Sequence, residues 1–139
     1  MEHLKKMLNN PEIRGVVRTA TGEVIEFHNP GVKDLFCLVA SRRHVLESAS
    51  VADRVVGRGA ALLLVKGHVA QVFAQVISES ALNVFQDAGI AASYDCLVPN
   101  IINRAGTDIC PVEKLTLGIS QPDLAFERIR EFLINNNII

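Results

Sequence analysis

The sequence contains no tryptophan, and only 5% of its 139 residues are aromatic. Alanine, valine, isoleucine and leucine must therefore fill its core. Hydrophobic residues nevertheless make up 49% of the chain, and the mean hydropathy is +0.26. A chain of this length is expected to fold as one domain, spanning residues 1–139, around a single core. So apolar a domain would expose hydrophobic surface as a monomer, and we therefore expect a homo-oligomer.

Neither charge sign dominates, because 14 lysines and arginines face 15 aspartates and glutamates. Proteins that bind nucleic acid usually carry a basic stripe, and this near balance argues against that class. No apolar run is long enough for a membrane span, and the amino terminus lacks the apolar core of a signal peptide. The sequence thus predicts a cytoplasmic protein without a nucleic-acid or membrane partner.

Cysteine is also scarce. Cys37, Cys96 and Cys110 are far apart and form no C-x-x-C pair, as expected for reduced thiols. The four histidines show no metal-ligand spacing. We therefore expect no metal site and no cofactor.

Hydrophobic periodicity predicts an α/β domain with three α/β/α layers, a mixed sheet, a hairpin at one edge and at least two parallel strands. A helix between two strands implies a right-handed crossover and parallel strands at 69–77 and 91–98. Residues 48–52 are interpreted as a connection of small residues. The other predicted elements are a helix at 2–9, hairpin strands at 13–18 and 23–27, helices at 32–47, 57–65 and 78–88, and helices that begin near 110 and 120.

The sharpest local feature is Gly57-Arg58-Gly59 at a helix start. Ligands of open α/β sheets bind at the carboxyl ends of parallel strands, where helix N-termini also point. The glycines would let a ligand approach backbone amides, and the arginine could bind a phosphate or carboxylate. Alternatively, the glycines permit close packing and Arg58 is a surface residue.

Further polar candidates lie at the same predicted end of the sheet. The hydroxyls of Ser78 and Ser80 could bind a ligand, although Ser78 is equally the expected N-cap of its helix. Asn103 and Arg104 occupy a polar loop over residues 99–109, and loops of this length are often functional.

Two residues suggest catalysis instead of binding. Cys110 at a helix start could be a nucleophile if His28, His44 or His68 served as its base. Glu113 could act as an acid or base. The alternatives are an inert, partly buried cysteine and a glutamate that only occupies the first helical turn.

Three segments, residues 52–63, 77–82 and 98–113, resemble a small bacterial family of uncharacterised proteins with a cytidine-deaminase-like fold. Zinc deaminases carry H-x-E or C-x-E at one helix start and P-C-x-x-C at the next. The resemblance places residues 57–59 and 78–81 in these two positions, and neither segment contains histidine or cysteine. Cys110-Pro111 reverses the order of the motif and lacks its second cysteine. The resemblance therefore implies a deaminase-like fold without zinc chemistry.

These observations predict a binding module that holds a small anionic or nucleotide-like ligand where deaminases hold zinc. The alternatives are a metal-independent enzyme that uses Cys110 or Glu113 in the same cleft, and a structural subunit. The predicted ligand-binding residues are Gly57, Arg58, Gly59, Ser78, Ser80, Asn103 and Arg104.

Overall fold

The computed structural model describes all residues, 1–139. Its elements in chain order are α1 (Glu2–Met7), β1 (Gly15–Arg18), β2 (Val24–Phe27), α2 (Lys33–Arg42), a 3-10 turn (Arg43–Leu46), β3 (Ser50–Val56), α3 (Arg58–Lys66), β4 (Gln71–Ser78), α4 (Glu79–Ala88), β5 (Ala91–Val98), α5 (Pro111–Thr116) and α6 (Pro122–Asn135).

The five strands form one mixed sheet in the order β2-β1-β3-β4-β5. β1 is antiparallel to both β2 and β3, whereas β3, β4 and β5 run parallel. The predicted α/β class, the mixed sheet and the edge hairpin are confirmed. The two predicted parallel strands also pair directly, in constant register from Gln71 opposite Ala91 to Ser78 opposite Val98.

The interpretation of residues 48–52 as a connection was wrong for residues 50–52. Residues Ser50–Val56 form the central strand β3, which pairs with β1 on one side and β4 on the other. Small residues and the adjacent charges of Asp53 and Arg54 conceal the strand pattern in the sequence. The Arg54 guanidinium lies near α1, where it donates to the carbonyl oxygens of Leu8 at 2.6 Å and Ile13 at 2.9 Å. Pairing with both neighbours therefore makes a strand of a segment in which only the three valines favour one.

Local capping signals place α4 correctly. The Ser78 hydroxyl accepts a hydrogen bond from the Ala81 amide at 3.1 Å, and Gly89 ends the helix with φ of 71°. Two other boundaries differ from prediction. The predicted helix at 32–47 gives way to the 3-10 turn after Arg42, and the helix predicted to begin near 120 begins at Pro122.

Two clusters of buried side chains flank the sheet. The larger has 27 residues from the sheet and from α2, α3, α4 and α6, whereas the smaller has six and is closed by α1. Adjacent strand residues divide between them, with Val51 in the larger cluster and Ala52 in the smaller. Since successive strand side chains point to opposite faces, the clusters lie on opposite faces of the sheet. No helix is both long and apolar enough to cross a bilayer.

Candidate functional site

A cavity of about 410 Å³ lies at the carboxyl end of β3. Its walls come from the end of β2, the starts of α2, α3 and α5, the loop at residues 101–104, and Phe132 of α6. This volume is in the range typical of small-molecule sites. We refer to it below as the β3 cavity.

Glycine allows the segments around the β3 cavity to approach one another. A Cβ atom on Gly57 would lie 3.2 Å from Cγ1 of Ile101, and one on Gly59 would lie 2.5 Å from Cγ1 of Val112. Both glycines line the cavity. The close-packing role considered for them is therefore present, and it brings the 101–104 loop and α5 against the start of α3.

Arg58 lies outside the β3 cavity. Its Nε donates to the carbonyl oxygens of Thr116 and Ile119, both at 3.0 Å, and its Nη2 donates to Ile119 at 2.5 Å. Its Nη1 donates to Oγ of Ser80 at 2.9 Å. The guanidinium thus joins the end of α5 to the starts of α3 and α4.

Glu113 is 2% exposed and its carboxylate accepts two backbone hydrogen bonds. Oε1 accepts from the Arg58 amide at 3.2 Å, and Oε2 accepts from the Ile101 amide. The side chain therefore connects α5 to the start of α3 and to the cavity loop. It does more than occupy a helical turn, and both of its oxygens have donors.

Four of the seven predicted ligand residues, Gly57, Gly59, Asn103 and Arg104, line the β3 cavity. The amide oxygen of Asn103 also accepts from the Thr107 amide at 3.0 Å, which stabilises the loop.

The other three predicted ligand residues, Arg58, Ser78 and Ser80, do not line the cavity. Ser78 is fully buried as the N-cap of α4, and Ser80 accepts from Arg58. The structure therefore places four of the predicted ligand residues in the cavity wall and three outside it.

Cys110 and Glu113, the predicted catalytic candidates, both line the β3 cavity. Cys110 is half-buried at the start of α5. None of the histidines proposed as its base lines this cavity: His44 and His68 lie in a different one, and His28 bonds the Glu12 carbonyl. The structure thus brings the two candidates together without a histidine.

Sequence reasoning missed three charged residues that line the cavity, Arg14, Asp53 and Arg54. Asp53 is the acidic one. It lies opposite Gly15 in the sheet, and Gly15 in turn lies opposite Phe27. A Cβ atom on Gly15 would lie 3.1 Å from the Phe27 ring and 3.2 Å from Cγ of Asp53. The absent side chain thus leaves room for a ring and a carboxyl group side by side. Recognition of residues 50–56 as a strand would have placed this carboxyl group inside the sheet.

Burial raises the pKa of Asp53 to about 7. Hydrogen bonds from the Arg54 and Val55 amides and the positive charges of Arg14 and Arg54 lower this pKa, but burial outweighs them. The carboxyl group is therefore partly protonated near neutral pH, and it can both donate and accept hydrogen bonds.

This pKa makes folding stability depend on pH. An unfolded aspartate has a pKa of about 4, so the folded state binds the proton more tightly, and stability falls as pH rises from about 4 through about 7. Asp53→Asn should increase the free energy of unfolding at pH 8 by about 1–3 kcal/mol relative to the wild type, with a smaller difference at pH 5. Urea denaturation at both pH values measures this. The exposed control Asp87→Asn should show no such pH dependence, and equal effects of Asp53→Asn at pH 5 and pH 8 would contradict the assignment.

A second cavity, of about 530 Å³, lies near the end of α3. Its lining is mainly polar and includes Arg43, Lys66 and Arg130, but none of the predicted ligand-binding residues and neither Cys110 nor Glu113. Lys66 is paired there with Asp123 at 2.6 Å. Nowhere in the chain do three His, Cys, Asp or Glu side chains come close enough to hold a metal ion.

Comparisons with known proteins agree on the family. The family model for DUF1893, a domain of unknown function, matches residues 3–133. The fold is similar to the crystal structure of a DUF1893 family protein, TM1506, from Thermotoga maritima, with a TM-score of 0.84 and 27% identity over 94% of this chain and 87% of that chain. No curated protein matches significantly. Since the family model spans nearly the whole chain, the protein belongs to the DUF1893 family.

Proposed function

We propose that the protein is a binding module that holds a small anionic, nucleotide-like ligand in the β3 cavity. The observation that carries this proposal is that two arginine side chains beside the cavity have no partner in the protein. Arg14 and Arg104 both line the cavity, and the side chain of neither one forms an ion pair or a hydrogen bond. Free guanidinium groups beside a cavity are suited to a phosphate or carboxylate group.

The remaining walls favour a flat, partly apolar ligand body. Phe27, Val32, Leu35 and Phe132 supply apolar surface. The carboxyl group of Asp53 lies beside the Phe27 ring across Gly15, so a planar heterocycle could contact the ring with its face or edge and bond the carboxyl group through its nitrogens. Apolar walls with a few placed polar groups are typical of such sites.

The deaminase-like, three-layer fold belongs to the same proposal. The helix starts at residues 57–59 and 78–81 follow the neighbouring parallel strands β3 and β4, which supports this resemblance. The third layer would consist of α1 alone, packed on the smaller core cluster. Neither helix start contains histidine or cysteine, which supports binding without zinc chemistry.

Thermal unfolding with nucleoside monophosphates and the matching nucleosides tests the ligand class. A ligand that binds the folded state raises the midpoint in proportion to RT ln(1 + [L]/Kd). At least one monophosphate should stabilise the protein, and its nucleoside should do so less. Arg14→Ala and Arg104→Ala should each weaken binding by about tenfold or more, because each removes a charge-assisted contact.

Arg128→Ala is the matched control, since Arg128 is exposed on α6 outside the cavity. It should leave binding unchanged. The proposal fails if no monophosphate stabilises the protein, a result that would favour a structural subunit. It also fails if a monophosphate still stabilises the Arg14→Ala/Arg104→Ala variant. That result would indicate that the anion binds in the cavity of Arg43 and Lys66.

A metal-independent enzyme is the second candidate, favoured by the presence of Cys110 and Glu113 in one cavity. Alkylation by iodoacetamide with mass spectrometry separates the two candidates. Under the binding proposal, a bound monophosphate should slow alkylation of Cys110 but not of the exposed Cys37. Alkylation of Cys110 faster than of Cys37 at neutral pH would favour the enzyme.

A further inference from the structure

Strand β5 is a long, open edge of the sheet. It pairs only with β4, so the backbone groups of its outer edge have no strand partner. It is eight residues long, whereas β2 at the opposite edge has four and carries Glu26. Open edges of this kind are sites for pairing with another strand.

The residues of β5 lack the features that normally protect an edge. Parallel strands are usually covered on both faces, yet every residue of β5 is exposed or half-buried, and Tyr94 and Leu97 are each 40% exposed. Asp95 is its only charged residue, and it contains no proline or lysine. Its constant register with β4 also shows no bulge.

We propose that a second copy of this chain pairs with β5 in antiparallel orientation, about a two-fold axis at Tyr94. This extends the expectation of a homo-oligomer by assigning the surface and the register, and it does not depend on the ligand. The axis would stand perpendicular to the sheet, so each face of one sheet continues into the same face of the other. Isologous pairing through one patch is the commonest arrangement of homodimers.

The side chains of β5 favour this register. Only axes at Tyr94 or Asp95 pair nearly the whole strand, because these residues are its midpoint. An axis at Asp95 would place two carboxylates opposite each other, which is unfavourable. An axis at Tyr94 instead pairs two aromatic rings, a hydroxyl with a carboxylate, and small residues with larger ones: Tyr94 with Tyr94, Ser93 with Asp95, Ala92 with Cys96, and Ala91 with Leu97.

The proposed pairing leaves both β3 cavities open. The two copies of β5 would run in opposite directions, so the loops that follow Val98 would leave the joint sheet at opposite ends. The cavity lies at the carboxyl end of β3, two strands away from the pairing edge. Binding and assembly can therefore be measured separately.

Light scattering after size-exclusion chromatography tests whether β5 is the surface through which two copies pair. The wild type should elute with twice the 15.2 kDa mass of the chain. Tyr94→Lys would place two lysines opposite each other at the axis and should raise the dimer dissociation constant by about tenfold or more. Val24→Lys, at a similarly exposed position on β2, should leave the mass unchanged. A monomeric wild type, or a dimer unaffected by Tyr94→Lys, would overturn the proposal.

Cross-linking tests the register. In a Cys37→Ser/Cys110→Ser background, Ala92→Cys should place a thiol opposite Cys96 of the second copy, within the Cα separation that a disulfide spans. Mild oxidation should then give a covalent dimer on a non-reducing gel. Ser93→Cys is the control, because it lies on the opposite face from Cys96 and should not cross-link. Efficient cross-linking of the control, or none with Ala92→Cys, would refute the axis at Tyr94.

Discussion

Glu113→Ala should lower the free energy of unfolding by about 2–5 kcal/mol, because each partly buried amide that loses its acceptor costs about 1–3 kcal/mol. Its carboxylate is the acceptor for two backbone amides, those of Arg58 and Ile101. The substitution would leave both donors without a partner and create a void beside them. Urea denaturation at pH 7 measures the loss.

Two further variants test whether the loss of the carboxylate acceptor causes this destabilisation. Glu113→Gln keeps one acceptor oxygen but turns the NH2 of its side-chain amide towards a backbone donor. We therefore expect an intermediate decrease of about 1–3 kcal/mol in the free energy of unfolding. Glu127→Ala removes an exposed carboxylate whose pair with Arg130 is on the surface, and should change stability by less than about 1 kcal/mol. Equal stability of the wild type and Glu113→Ala would show that water replaces the carboxylate at no cost.

The elements that sequence reasoning placed correctly are those with local signals. Ser78 and Gly89 delimit α4 by capping chemistry that acts within a few residues. The β3 strand has no such signal, because its small residues and its charged pair, Asp53 and Arg54, resemble a connection. Its formation depends on pairing with β1 and β4, which are separated from it in sequence. Long-range pairing of this kind cannot be recognised from a local pattern.

The same distinction between local signals and long-range contacts explains which residues of the candidate site were predicted. Gly57, Gly59, Asn103 and Arg104 were predicted together because helix starts and loops meet at the carboxyl ends of parallel strands. The direction of the Arg58 guanidinium was not predictable, since it depends on the carbonyl oxygens of Thr116 and Ile119 on a segment distant in sequence. Asp53 was missed because its strand was missed.

Gly59→Val should lower the free energy of unfolding by about 3 kcal/mol or more, and Gly59→Ala by about 1–3 kcal/mol. Helix propensity alone predicts the opposite sign for alanine, a gain of about 1 kcal/mol within α3. We expect the steric cost to outweigh this gain and to make the change in the free energy of unfolding negative. The new Cβ would lie 2.5 Å from Cγ1 of Val112 and 3.4 Å from Cδ1 of Ile129. Thermal and urea unfolding of both variants measure the effect.

A double-mutant cycle with Val112→Ala isolates that contact. Removal of the Cγ1 methyl group should make Gly59→Ala at least about 1 kcal/mol less costly than in the wild type, since the two residues share one contact. Gly57→Ala is the comparison, because its Cβ would lie 3.2 Å from a side chain on the cavity loop and should cost less. If Gly59→Ala were equally costly with and without the valine methyl groups, the contact with Val112 would not be the cause of the cost. The other nearby groups, Cδ1 of Ile129 at 3.4 Å and the carbonyl oxygen of Val112 at 3.5 Å, lie at ordinary contact distances from the new Cβ, so Cγ1 of Val112 is the group that must move.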